Sequence, residues 1–183
     1  MRKARYALGL ALLVAASLYL LPALRAADEP ALDSPEVSEL LTQAKEHAVK
    51  LAGDAAVMKS FGLTSMSWES HADQINTIRD HVNNLGEVLQ KMGERRQFAS
   101  PWQQNAIDRI TPLAAELASN IETTIDHINK NQDRLHTPQY REYLDTNYDV
   151  STSLSGLISD FVSYGKNKAK FDVLGTELEA PGR

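Results

Sequence analysis

Residues 68–92 read WESHADQINTIRDHVNNLGEVLQKM. Trp68, His71, Ile75, Ile78, Val82, Leu85, Leu89 and Met92 recur there in alternating steps of three and four. That spacing averages about 3.5 residues, which keeps one stripe of an α-helix turned toward its neighbours. Upstream, Val37, Leu41, Ala44, Ala48, Leu51, Ala55 and Met58 repeat the pattern. Downstream, Ile107, Ile110, Ala114, Leu117, Ile121, Thr124 and Ile128 form a third stripe. Tyr140, Leu144, Asn147, Ser151, Leu154, Ile158, Phe161 and Gly165 form a fourth. Four striped helices joined by short loops predict an all-α fold, an antiparallel up-down-up-down four-helix bundle with a heptad-like core.

Punctuation between the stripes sets the expected boundaries. Ser34-Pro35, Ser100-Pro101 and Thr137-Pro138 each place a hydroxyl residue at an N-cap and proline at the first helical position, where no hydrogen bond is lost. Ser100 with Gln103 also fits a capping box. Gly62 and Gly93 follow the first two stripes, where a left-handed residue would end a helix. Helices are predicted over 35–61, 66–92, 101–130 and 138–171. Pro112 falls inside the third and predicts a kink, or a short helix abutting a longer one.

The first 26 residues have a different character. Arg2, Lys3 and Arg5 precede an apolar run from Tyr6 to Leu21, then Pro22 and Leu24-Arg25-Ala26. This is the layout of a secretory signal peptide cleaved after Ala26 or Ala27; the alternative is an N-terminal membrane anchor over residues 6–24. The expected organisation is therefore a signal peptide at 1–26, a disordered lead at 27–33, the bundle at 34–172 and a flexible tail at 173–183. The expected location is the periplasm or the extracellular space.

Charge and composition narrow the function classes. Residues 1–26 hold four basic and no acidic side chains, so their removal leaves 15 basic against 24 acidic residues. An acidic chain is a poor partner for nucleic acid or for an anionic lipid surface. With no cysteine there is no disulfide, no thiolate metal site and no covalent c-type haem attachment. No phosphate-binding glycine loop, His-Glu-x-x-His or Gly-x-Ser-x-Gly occurs.

In the expected topology one end of the bundle gathers the polar members of the stripes. Met58, His71, Thr124, His127 and Asn147 fall there with Phe61, Trp68, Tyr140 and Tyr143, and Ser151 lies one turn deeper. These five residues are the candidate ligand site. Their bland reading is a hydrogen-bonded core layer that fixes helix register, with His71 bonded to a hydroxyl or to an amide such as Asn147. A two-metal carboxylate cage needs Glu three residues before an inward His. Ala44, Trp68, Ile78 and Thr124 stand in that place before His47, His71, His81 and His127, so that pattern fails. Asp133-x-x-His136 has an acidic residue at that spacing, but in the third loop. Zinc held by His71, His127 and Asp73 or Asp126 is geometrically conceivable. Met58 could face a haem, but the fourth helix offers no histidine as its partner.

Small residues in the fourth helix (Ser151, Ser155, Gly156, Gly165) match an alanine-rich first helix and predict close packing between the two. Three functional classes follow. The first is an exported, non-enzymatic module with no cofactor that binds a protein or envelope partner or itself, and has no membrane span after signal cleavage. The second is a small-ligand or sensor bundle built on the polar end, and the third a metal- or haem-binding bundle.

Overall fold

The computed structural model describes residues 32–179, so the expectations for residues 1–31 lie outside the described part. Four helices follow in order: α1 Pro35–Phe61, α2 Trp68–Arg95, α3 Pro101–Lys130 and α4 Pro138–Glu179. Single 3₁₀ turns at Arg96–Phe98 and Gln132–Arg134 lie in the second and third connections.

The starts are capped largely as the sequence implies. Ser34 Oγ accepts from Val37 N, and Ser67 Oγ accepts from Ser70 N. Gln103 Oε1 accepts from Ser100 N, and Thr137 Oγ1 accepts from Tyr140 N. The glycine expectation fails for both residues. Gly62 has φ −61° and ψ −13°, a right-handed residue whose N–H closes on Lys59 O. Its small size serves packing instead, because a Cβ there would lie 3.1 Å from Arg141 Cγ and 3.2 Å from Leu144 Cδ1 on α4. Gly93 lies within α2, which runs on to Arg95. Pro112 does not divide α3; it sits exposed in one continuous 30-residue helix.

The stripes become the core. Every α1 stripe residue is buried, as are His71 to Met92 on α2. Trp68 opens the α2 stripe but stays 37% exposed. On α4 burial shifts from Phe161 to Val162, because a straight helix drifts relative to a 3.5-residue repeat. α1 packs on α2 and α4, and α3 packs on the same two, making a closed four-helix bundle.

Polar contacts show which helix ends meet. Arg95 at the end of α2 reaches Glu36 at the start of α1, while Gln74 near the start of α2 donates to Asp54 far along α1. Lys59 near the end of α1 pairs with Asp145 early on α4, and Lys168 late on α4 pairs with Asp33 just before α1. Gln103, fully buried, joins the starts of α1 and α3. Its Oε1 accepts from Ser34 N, and its Nε2 donates to Ser34 O and Ser38 Oγ.

α4 is longer than expected. It continues through residues 173–179, which the sequence reading assigned to a flexible tail. No proline intervenes before Pro181, the helix passes through Gly175, and Lys168 bridges Asp172 one turn on. The last buried residue of α4 is Val162, and among the described residues Lys168 makes the last ion pair from α4 to another part of the bundle, at Asp33.

Two glycines of α4 give opposed predictions. A Cβ at Gly156 meets nothing within 4 Å, so Gly156→Ala should raise stability by about 0.5–1 kcal/mol through helix propensity. A Cβ at Gly165 would lie 2.8 Å from Trp102 Cη2. That indole is held by its Nε1–H bond to Asp33 and by edge contact with Tyr164. Gly165→Ala should therefore cost about 1–3 kcal/mol despite the same gain in propensity. Urea unfolding of the two variants measures both signs.

Candidate functional site

Four of the five candidate residues fall into two groups, the first centred on a residue that the stripe pattern treated as ordinary core. Tyr140, in the first turn of α4, is fully buried. Its hydroxyl lies 2.8 Å from His71 Nδ1, and the two rings meet edge to face with centroids 5.3 Å apart. Phe61 closes on the far side of His71 at 5.4 Å. His127 stacks on Tyr140 at 5.3 Å with an 18° tilt, and Tyr143 meets His127 edge-on. One aromatic cluster thus draws on all four helices. His71 bonds to a hydroxyl, as the bland reading allowed, but the hydroxyl is Tyr140's and the partner is not Asn147.

Asn147 belongs to the second group. Thr124 Oγ1 donates to Asn120 O, so its lone pairs are left to accept from Asn147 Nδ2 at 2.8 Å. This fixes the orientation of the Asn147 amide. Ser151 Oγ donates to Asn147 O at 2.6 Å. Thr124, Asn147 and Ser151 are all buried, and Asn147 Oδ1 has no partner, like the buried His127 Nε2. Met58 is buried in the core and takes part in none of these bonds.

Burial dominates the electrostatics of the cluster. It lowers the proton affinity of His71 and His127 and pushes the Tyr140 phenol well above its usual range. Near neutral pH the cluster is therefore an uncharged, hydrogen-bonded layer. Its pieces are suited to fixing register among the helices; proton transfer to an external molecule would require an opening. A shallow pocket of about 330 Å³ lies outside it between α3 and α4, reached by Tyr143 but lined by none of the five candidates.

The conceivable zinc set is not brought together. Asp126 pairs with Lys130 in solvent, Asp73 is exposed, and His71 Nδ1 is engaged by Tyr140. Among the described residues no three histidine or carboxylate groups are placed to share a metal ion. A smaller polar patch lies between α1 and α2, where His81 Nε2 is 3.3 Å from Asp54 Oδ2. Gln74 Nε2 donates to that same carboxylate, and the His47 ring stands 6.4 Å from the His81 ring.

Two surface features were missed by reading stripes alone. One is a groove of about 1020 Å³ between α2 and α3, lined in part by Gly86, Gly93, Pro112, Ala115 and Ala118. Its signal was present as glycines and alanines clustered beside the stripes of both helices. The other is the projecting end of α4, where Phe171, Leu174 and Leu178 are 73%, 51% and 84% exposed. The chain matches no protein-family model, no curated protein and no solved structure.

The polar layer predicts a pH profile with a definite sign. His71 binds a proton less readily folded than unfolded, where its ordinary value is 6.5, so the unfolded chain holds more protons below that pH. Stability should fall as pH drops from about 7 to about 5, and His71→Leu should flatten part of that slope. Tyr140→Phe, which leaves His71 Nδ1 without its partner, should cost about 1–3 kcal/mol. Asn147→Leu removes an unpartnered acceptor and should leave stability unchanged or raise it by up to about 1 kcal/mol. Urea titrations across this pH range measure all three effects.

Proposed function

We propose that the protein is an exported, non-catalytic helical bundle that works by binding another protein or an envelope component, with the projecting end of α4 as its contact surface. The observation that carries this reading is the apolar face of that projection. Phe171, Leu174 and Leu178 lie at helical spacing within one face of α4, beyond the last residue that the bundle buries. Apolar surface on an ordered helix with no described residue packed over it marks a site of association.

Export is supported by the basic start, apolar run and small residues of the first 26 positions. The non-catalytic reading is supported by how the polar residues are used. His71, Thr124, Asn147 and Tyr140 are enclosed and bonded chiefly to one another or to nearby backbone, and they line neither the α2–α3 groove nor the α3–α4 pocket.

The test has two arms. The full chain, expressed in a cell with an envelope, should be recovered outside the cytoplasm with its new N-terminus following Ala26 or Ala27; retention in the cytoplasm overturns export. Chemical cross-linking in that envelope should trap a complex that disappears in Phe171→Ser/Leu174→Ser/Leu178→Ser while circular dichroism stays helical. A complex indifferent to those substitutions overturns the assignment of the contact surface.

A further inference from the structure

We infer that the α2–α3 groove is the seat for the α4 projection of a second copy of this chain, so that two copies exchange their projections. This rests on the reading of the projection as a contact surface and names what it contacts. Residues 169–179 carry α4 eleven residues past the Lys168–Asp33 ion pair, about 16 Å of helix. The groove runs along α2 from Val82 to Gly93, about the same length of helix. Its walls are small at Gly86, Gly93, Ala115 and Ala118, and its floor carries the buried Leu89 and Ile107. Such a surface admits a helix close to the backbone and leaves room for the larger side chains of the guest, here Phe171, Leu174 and Leu178.

Charge agrees with this fit. On the groove's rim Glu87 forms no ion pair among the described residues, whereas Asp108 is already held by Arg96, and the projection is entered through Lys166, Lys168 and Lys170. Lys166 and Lys170 form no ion pair among the described residues. The groove is also at the upper end of small-ligand pocket volumes, about 300–1,000 Å³, but open and elongated as a helix seat is.

Among the described residues of one copy, nothing can fill the groove. α4 is one unbroken helix to Glu179 and packs on α1 and α3, while the groove lies on the α2–α3 face. Pairing of two projections with each other is the weaker solution, because about one and a half heptads are too few for a coiled coil. A two-fold axis makes the exchange reciprocal, with each copy giving one projection and receiving one.

The chain has no cysteine, so introduced thiols report position without background. Leu174→Cys and Ala115→Cys both alter exposed positions, and the full chain is used as the cell processes it. Tagged Leu174→Cys mixed with untagged Ala115→Cys should give a mixed disulfide dimer under mild oxidation. The wild-type chain should sediment as a dimer whose fraction grows with concentration. Serine at Phe171, Leu174 or Leu178 should weaken that dimer by roughly tenfold each. Gly86→Trp should also weaken it, because a Cβ at Gly86 meets nothing within 4 Å and the indole fills the groove without disturbing the fold.

A chain that stays monomeric at every concentration overturns the inference, whether a lipid or a foreign helix fills the groove instead. So does a 174–174 disulfide in place of the 174–115 bond, or a 174–115 bond within one chain of the double variant. A monomer that still loses its envelope complex on stripe substitution removes self-pairing alone. If neither dimer nor complex depends on the stripe, both readings fall.

Discussion

Removal of four apolar stripes from water is the constraint on which the rest of this structure depends. A chain with no cysteine has no covalent brace, so the seam between the helices must hold the fold by itself. That requirement explains the length of the helices, since each added turn brings another layer into the seam. It also brings α1 against α4, though the α4 glycines do not line that contact as expected: Gly156 faces open space and Gly165 faces Trp102 of α3. Gly62 does serve that contact, because its missing Cβ leaves room for Arg141 and Leu144. Polar side chains are admitted to the seam only where another group can receive them, as with Gln103 at one end and Tyr140 at the other.

The fold was legible in the sequence because its cause is periodic. The starts at Pro35, Pro101 and Pro138 and the stripe residues from Val37 to Ile158 follow from spacing and capping alone. What spacing does not carry is pairing across the bundle. The stripe placed His71 and Tyr140 at the same end, but their 2.8 Å contact depends on the relative heights and rotations of α2 and α4. The glycines misled for a related reason. A glycine after a stripe is compatible with a left-handed cap, with a close approach or with an open surface. Gly62 took the second use and Gly93 the third, and only tertiary neighbours distinguish them. The extent of α4 was missed because the reading looked for a core-facing stripe, and beyond Lys168 there is no core to face.

The two ends of the bundle solve the same problem with different chemistry. At one, Gln103 satisfies backbone and hydroxyl groups from the starts of α1 and α3, and Trp102 is pinned between Asp33, Tyr164 and Gly165. At the other, Phe61 of α1 and Tyr140 and Tyr143 of α4 pack on the two histidines, His71 of α2 and His127 of α3. Their neutral forms suit an apolar surrounding, and a charge on either would have to be accommodated without a carboxylate in the hydrogen-bonded layer. The orphaned Asn147 Oδ1 shows that the layer is not optimised for stability alone. An unpartnered buried acceptor is tolerated where the same side chain settles which helix faces which, since a slipped register would leave Thr124 and Asn147 without each other.

The asymmetry in helix length carries the functional argument. α1, α2 and α3 hold 27, 28 and 30 residues, and α4 holds 42. A helix longer than its partners gains nothing from the seam over the excess length, and an isolated segment of about eleven residues is marginal in water. Charge alone would keep such a segment soluble, so polar residues on every face would be the neutral choice. The chain instead keeps an apolar face through Phe171, Leu174 and Leu178, with Lys168 fastened to Asp33 and Asp172 where the segment leaves the bundle. Fixing the exit lowers the entropy that a partner would otherwise have to remove on binding. The groove between α2 and α3 has the complementary defect, a helix-length channel of small residues that the chain's own fourth helix does not cover. Among the described residues the ridge has no seat and the groove no ridge, and it is this complementarity on one chain from which the reciprocal interface is inferred.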